Sequence, residues 1–288
     1  MPSGIIIIDK PAGWTSMDVC AKLRGVYREK RVGHAGTLDP MATGVLPVFV
    51  GQATKAVPFA EDGTKEYVAR LRLGVVTDTQ DTEGTVLQAV PAAVTEEALR
   101  AVLPRFTGEL EQLPPMYSAV KINGQRLYAL ARRGVAIERK PRRVTIEALD
   151  LLSPDGTGDW GLRVRCSKGT YIRALCHDLG AALGCGGCMS ALRRTAAAGW
   201  TLDEAVSLDE AVARGAAALQ SVDSLFRSYP AYRVPSAEAE RRARCGNPLR
   251  DRRVPDGVYR VYAPDGAFLS LSRCEDGVLR SIRNFFSV

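Results

Sequence analysis

Ile5 to Ile8 run without a polar interruption and predict a short buried strand over Gly4 to Ile8. Thr15 or Ser16 then offers an N-cap for a helix through Tyr27, with Met17, Cys20, Leu23 and Tyr27 along one face. Between Gly33 and Gly51 the pattern fails. Four glycines and two prolines leave neither a period of 2 nor one of 3.6, so a shaped loop is expected there, leading into a strand near Val45 to Val50. Tyr67, Ala69, Leu71, Leu73 and Val75 alternate with Arg70 and Arg72, the mark of a half-buried strand. Asp81 to Gly84 predicts a turn, and Thr85 to Val90 a returning hairpin strand. Thr95 is expected to cap a helix through Leu103. Val144 to Leu152 and the alternating Trp160, Leu162, Val164 and Cys166 predict two more strands. Thr170 is expected to cap a helix through Leu183 that carries Arg173 in its first turn, and Leu208 to Arg214 predicts another helix.

Near Tyr229-Pro230 the texture changes to short strands (Val258 to Tyr262, Phe268 to Leu271, Val278 to Arg283) separated by Pro-Asp-Gly turns. The expected organisation is therefore a larger domain over residues 1–229 and a small β-rich one over 230–288. A chain of 288 residues suits one large domain or a large one with a small companion. No apolar run approaches the roughly 20 residues that span a bilayer, and Ile5 to Ile8 is too short for a signal-peptide core, so the cytosol is the expected compartment. Seven scattered cysteines suggest reduced thiols. Cys185 and Cys188 form a CxxC, but with only two histidines in the chain it reads as a Gly-rich turn more readily than as a metal site.

Charge changes the picture more. The net charge is +7, and Lys121, Arg126, Arg132, Arg133, Arg139, Lys140, Arg142 and Arg143, set against Glu138, account for all of it. A basic segment on a neutral body is the footprint of a phosphate-backbone contact, although a solvated basic face has the same composition. Pro114-Pro115 opens this segment, which is expected to project from the body as an insertion over about 115–143.

Gly33-His34-Ala35-Gly36-Thr37-Leu38-Asp39-Pro40 places a histidine, a hydroxyl and a carboxylate among glycines. Pro40 disfavours helical backbone at Asp39 and presents its carboxylate from a fixed turn; a plain surface turn has the same ingredients. No GxSxG elbow, P-loop or GxGxxG is present, and metal ligands are too sparse for a zinc deaminase. Carboxylate chemistry without a cofactor, beside a basic surface, is what these exclusions leave.

The motifs narrow this further. Asp9 to Ser16, Gly33 to Pro40, Met41 to Pro47, Lys65-Glu66-Tyr67, Gly74 to Asp81, Pro115 to Ala119, Lys168 to Arg173 and Leu192 to Thr195 occur in order. Together they resemble the motifs of the TruB family, the tRNA pseudouridine-55 synthases. The resemblance spans nearly the whole chain and is weakest after about Ala231. Cys188 departs from it, standing where similar sequences often carry histidine.

The resemblance implies an α+β pseudouridine-synthase fold. It comprises a central mixed, mainly antiparallel sheet flanked by helices, a basic inserted loop, and a PUA-like C-terminal domain. It implies isomerisation of uridine-55 in the T loop of tRNA by base flipping, with no cofactor and no metal. Asp39 is the implied catalytic carboxylate, paired with Arg173, whose charge is expected to lower its pKa and offset burial. Tyr67 would stack on the target base near its C5 proton. His34 would enter the RNA and take up the space of flipped bases. Lys10 and Asp81 would organise the pocket, and Leu192 would wall it beneath the base. Lys121, Arg132, Arg133, Arg142 and Arg143 would contact RNA from the inserted loop, and Arg241, Arg242, Arg244, Arg250, Arg252 and Arg253 from the C-terminal domain. A monomer is expected. Two other readings stay open: a non-catalytic RNA-binding protein on the same scaffold, and the related guide-RNA-directed synthase that works within a complex. A general RNA-binding module of unrelated ancestry would require every motif match to be accidental.

Overall fold

A computed structural model describes residues 2–118, 120–122, 124–135, 137–153 and 156–286, without the side chains of Lys121 and Arg126. Strands β1 (Gly4–Lys10), β2 (Val32–His34), β3 (Thr43–Val50), β4 (Lys65–Leu73), the hairpin β5 (Val75–Thr77) and β6 (Val86–Ala89), and β7 (Gly108–Gln112) fill the first part of the chain. The inserted segment holds the two-residue pair β8 (Lys121–Ile122) and β9 (Gln125–Arg126). Strands β10 (Arg142–Leu151), β11 (Trp160–Cys166), β12 (Gly187–Ala197) and β13 (Trp200–Thr201) follow.

These build a nine-stranded sheet in the order β1-β3-β12-β4-β11-β10-β7, with β2 added on β3 and β13 on β12. Only the β3–β12 pairing is parallel, so the sheet is mixed and mainly antiparallel, as expected. The isoleucine run at the N-terminus has a direct explanation in this sheet. Ile6 and Ile8 join the core on one face while Ile5 and Ile7 join a second core on the other. A strand covered on both faces loses the polar alternation.

Helices α1 (Ser16–Tyr27), α2 (Val57–Glu61), α3 (Glu96–Val102), α4 (Leu127–Ala131), α5 (Ile172–Ala182) and α6 (Leu208–Arg214) lie among these strands. Thr15 caps α1 with a full capping box to Asp18. The expected apolar face of α1 needs one correction. Met17 is 48% exposed, and Val19 takes its place beside Cys20, Leu23 and Tyr27. The cap of α5 differs too. Tyr171 holds that position, and Thr170 Oγ1 instead donates to the Ser167 carbonyl at 3.0 Å. The glycine-rich stretch contains the short strand β2, which three residues are too few to announce by periodicity. Val75 lies beyond the end of β4, in the hairpin, because Gly74 turns the chain. Cys185 and Cys188 flank the turn between α5 and β12 as free thiols.

The C-terminal strands β14 (Ala231–Arg233), β15 (Leu249–Arg250), β16 (Gly257–Tyr262), β17 (Phe268–Glu275) and β18 (Val278–Asn284) form a separate sheet in the order β14-β16-β17-β18-β15. It has its own core around Val261, Leu269 and Leu279. Leu271 and Phe285 join the second core with Ile5, Ile7 and Phe226, the rings of Phe285 and Phe226 lying 5.6 Å apart between centroids. Helix α7 (Ala237–Arg244), which apolar periodicity does not show because none of its residues is buried, carries Arg241, Arg242 and Arg244. Among the described residues no helix is long and apolar enough to cross a membrane.

The parallel junction within the large sheet, where Gly44 of β3 meets Arg194 of β12, is unusually close. Gly44 has φ +103°, and a Cβ there would lie 2.1 Å from the Arg194 carbonyl oxygen. Positive φ and backbone contact both exclude a side chain. Gly44→Ala is expected to cost about 3 kcal/mol and lower the Tm by about 6 °C or more. Calorimetry showing an unchanged Tm would mean that this junction has slack.

Candidate active site

Asp39 lies on the turn between β2 and β3, and the turn is held by groups outside it. The buried Ser16 hydroxyl accepts from the Leu38 amide at 2.9 Å and donates to the Leu38 carbonyl at 3.2 Å. The Ala42 amide bonds the Asp39 carbonyl at 3.1 Å, and the Gly13 amide bonds Pro40 at 2.8 Å. Beneath it Lys10, with no exposed surface, donates from Nζ to the carbonyls of Trp14, Pro11 and Pro40 at 2.5, 2.9 and 3.2 Å. Lys10 thus ties the β1 end to the Asp39 turn. Burial brings its pKa down to about 8, with Asp39 opposing that drop.

The first turn of α5 delivers Arg173 to this turn. The α5 entry is bracketed by Gln112, which accepts from the Tyr171 amide at 2.7 Å and donates to its carbonyl at 3.0 Å. Arg173 is 4% exposed and grips Asp39 with two nitrogens, Nε to Oδ2 at 2.9 Å and Nη2 to Oδ1 at 3.1 Å. This two-pronged geometry both orients and stabilises a carboxylate. The remaining donors go to the carbonyls of Thr79 and Tyr117, each at 2.9 Å. Asp81 stands 3.6 Å from Nε, itself bonded by the Thr79 hydroxyl at 2.6 Å and the Glu83 amide at 3.1 Å.

The Asp39 side chain keeps about a third of its surface open to the pocket, 33%. Its pKa is nonetheless raised, because burial outweighs the nearby Arg173 and Asp81 pushes the same way. This corrects the expectation that Arg173 would offset burial: burial is the larger effect, and the charge of Asp81 adds to it. The Glu83 carboxyl is itself pushed up by burial and by Asp81 and Asp39. Sequence reasoning missed Glu83, although Asp81-Thr82-Glu83 places a second carboxylate two positions on.

Tyr67, 6% exposed on β4, and Leu192, 8% exposed on β12, belong to the same core cluster as Leu38, the neighbour of Asp39. Burial raises the Tyr67 pKa. His34 ends β2, and burial, helped by the charge of Arg194, lowers its pKa to about 4. It is therefore neutral near pH 7, and its Nδ1 has no hydrogen-bond partner. A neutral, half-buried ring suits stacking better than ion pairing.

The basic residues lie apart from this centre. Arg132, Arg133, Arg142 and Arg143 are exposed; Arg132 sits over the Tyr128 ring at 5.6 Å, and Arg133 donates to Gln125 at 2.8 Å. Arg142 and Arg143 begin β10 and pair there with β7. The Lys121 side chain lies outside the described residues. In the C-terminal sheet Arg244 and Arg253 already face Glu240 at 2.7 Å and Asp251 at 2.9 Å, whereas Arg241, Arg242, Arg250 and Arg252 are exposed. Among the described residues no group of three metal-ligating side chains converges.

Comparison with known proteins adds the following. A family model described as "TruB family pseudouridylate synthase (N terminal domain)" matches residues 24–172, and "tRNA pseudouridylate synthase B C-terminal domain" matches residues 173–225. The chain is 44% identical over 284 residues to a tRNA pseudouridine synthase B of Azoarcus sp. (strain BH72), covering 97% of this chain and 94% of that one. It is 43% identical over 287 residues to one of Mycobacterium bovis, covering 97% and 94%. Among solved structures, the crystal structure of a Cbf5-Nop10-Gar1 complex contains a chain with TM-score 0.73 and 26% identity. That match covers 98% of this chain and 85% of the other.

Removing the Arg173 guanidinium leaves Asp39 and Asp81 facing each other with no cation between them. Arg173→Met is therefore expected to raise the Asp39 pKa further. Carbon-13 NMR titration of the aspartate carboxyls reads this directly, and an unmoved Asp39 titration would show that the pair is electrostatically idle.

Proposed function

The chain belongs to the TruB family of pseudouridylate synthases, an isomerase family, and from that footing we propose that it converts uridine 55 in the T loop of tRNA to pseudouridine. The observation that carries the proposal is the carboxylate of Asp39, fixed by two bonds from Arg173, still a third exposed, and near enough to Tyr67 for its charge to act on the phenol. The reaction breaks the C1′–N1 bond of the uridine and joins C1′ to C5 of the same base; the C5 proton is released and N1 takes up a proton. No electrons are gained or lost, so the chemistry asks for no redox cofactor.

Asp39 acts as the ionised carboxylate at the sugar or at the base. Attack at C1′, attack at C6 and support of an elimination all need it unprotonated and immobile. Tyr67 stacks on the extruded uracil and lies at its C5 edge; base-on-aromatic stacking contributes about 1 to 3 kcal/mol. Leu192 supports the base from below, and Lys10 and Asp81 hold the pocket's shape. Unstacking the uridine costs a few kcal/mol. Neutral His34 offsets part of it by filling the space in the loop, and the exposed arginines of residues 115–143 contribute phosphate contacts. On this reading residues 1–229 perform the reaction, and residues 230–288, a PUA-like β domain, extend the grip on the tRNA. The protein acts as a monomer.

Identity supports a tRNA substrate over guide-directed action. It is 44% to a relative named for tRNA and 26% to the Cbf5 chain.

Tritium release from C5-labelled uridine in a T-arm stem-loop transcript tests the proposal. Release without added cofactor, unaffected by EDTA and lowered at least about a thousandfold in Asp39→Asn, is expected. Tight, salt-sensitive binding of the same RNA without release would leave an RNA-binding protein instead.

The pH dependence follows from two shifts of opposite function. Asp39 works ionised and its pKa is raised, so kcat/KM falls on the acid side at a pH above the ordinary aspartate value of 3.8. Lys10 holds its charge only below about 8; as an ammonium it donates to the carbonyls of Pro11, Trp14 and Pro40, and losing a proton removes one of those three bonds and loosens the Asp39 turn, so kcat/KM falls again above that pH. Lys10→Met is expected to remove the alkaline limb and keep the acid one. A bell-shaped profile unchanged by this substitution would assign the limb elsewhere.

A further inference from the structure

Beneath the pocket lies a cation that the reaction as described does not use. Arg194 of β12 has no exposed surface. Its Nε donates to the Val45 carbonyl at 2.7 Å and its Nη2 to the Gly36 carbonyl at 3.1 Å. Nη1 is buried and has no hydrogen-bond partner, and among the described residues no carboxylate pairs with Arg194. Buried arginines are ordinarily paired with a carboxylate and satisfied at each nitrogen, because an isolated buried charge is costly.

The surroundings do not neutralise it. Lys10 and Lys65 are its buried neighbours, and their ammonium groups are taken up by main-chain carbonyls, for Lys65 those of Glu61 at 2.8 Å and Gly63 at 2.7 Å. Arg194 lowers the pKa of both lysines and of His34, so its positive potential reaches all three. Two glycines make room for it. A Cβ on Gly36, at φ +85°, would stand 3.3 Å from Nη1, and one on Gly44 would meet the Arg194 main chain.

The ladder shows what this charge faces. Arg194 is the direct cross-strand partner of Tyr67 in the β12–β4 pairing. Side chains so opposed project from the same face of the sheet, with Cβ atoms about 5 Å apart. The Arg194 guanidinium interacts with the Tyr67 phenol and opposes the upward push that burial gives it.

We propose that Arg194 is a positioning residue for the isomerisation, holding the Tyr67 phenol oxygen from beneath and keeping the floor of the base pocket electropositive. The unpartnered Nη1 is the donor that the phenol oxygen accepts from once the uridine is bound, which directs the phenol hydrogen toward the base. The same field stabilises negative charge that develops on the uracil as its bond to C1′ breaks, which is charge present in the transition state and absent from the bound uridine. The signature is therefore a loss in kcat at nearly constant KM. The inference rests on the reading that Tyr67 meets the target base.

The test uses the full-length protein and the T-arm stem-loop transcript, with Arg194→Met, Arg194→Lys and Tyr67→Phe compared by kcat, KM and circular dichroism. Carbon-13 labelling of the tyrosine Cζ follows the phenols, and Tyr67→Phe assigns the Tyr67 resonance. Arg194→Met is expected to lower kcat about a hundredfold with KM held within about threefold. Arg194→Lys, which keeps a charge but loses the planar fork, is expected to lower kcat about tenfold. In both the Tyr67 Cζ resonance moves. Unchanged kcat and an unmoved resonance in either folded variant overturn the inference, as does a loss confined to KM. Should Arg194→Met fail to fold, Arg194→Lys decides by the same two readouts. Wild-type kcat in Tyr67→Phe would instead overturn the reading that the phenol takes part. A disabled Tyr67→Phe beside unaffected Arg194 variants would overturn only the role of Arg194.

Discussion

The structure around the pocket depends on one side chain, Arg173. Its guanidinium carries two bonds to Asp39, one to the Thr79 carbonyl and one to the Tyr117 carbonyl. Those partners come from the turn before β3, the turn after β5 and the start of the basic segment, which are far apart in the chain. A planar fork with fixed donor directions suits such a junction; a lysine at the end of a flexible stem does not. The same contact that orients the carboxylate thus ties the start of the basic segment to the Asp39 turn. Breaking it leaves buried carboxylates without a cation, which is costlier than never having formed the pair.

Arg173 does not make the carboxylate comfortable. Burial and the nearby Asp81 outweigh it, and the Asp39 pKa ends above its ordinary value. Around this strained anion stand cations with equally unfavourable surroundings: Lys10 at about 8 and Arg194 with a buried, unpartnered nitrogen. A core selected only for stability would not collect unpaired charges at the junction of β3, β4 and β12. Such a concentration of desolvated ionisable groups marks a site where stability has been given up for function. The large sheet carries that cost by burying both faces of β1 and β3.

Much of this was legible from the chain. The alternation at Tyr67 to Leu73 and the capping residues Thr15 and Thr95 placed β4, α1 and α3, because strand period and hydroxyl caps are local signals. Motif order brought Asp39 and Arg173 together although 134 positions separate them. What local pattern does not carry was missed. β2 has three residues and α7 buries none, so neither shows a period. The role of Arg194 depends on strand register, which the sequence of β12 alone does not state, and two adjacent arginines read as a surface pair. The direction of the Asp39 shift depends on a sum of burial against several charges, and residue types give the signs of those effects without their sizes.

The account's central claim is that the Asp39 carboxylate held by Arg173 meets a uridine extruded from the T loop. A crystal structure of the protein with a T-arm stem-loop tests it most directly. The account predicts a flipped uridine stacked on Tyr67, with an Asp39 oxygen in van der Waals contact with C1′ or C6 and Arg173 still bonded to both Asp39 oxygens. A T loop bound with that uridine still stacked inside it, or an extruded base held away from Asp39, would contradict the account.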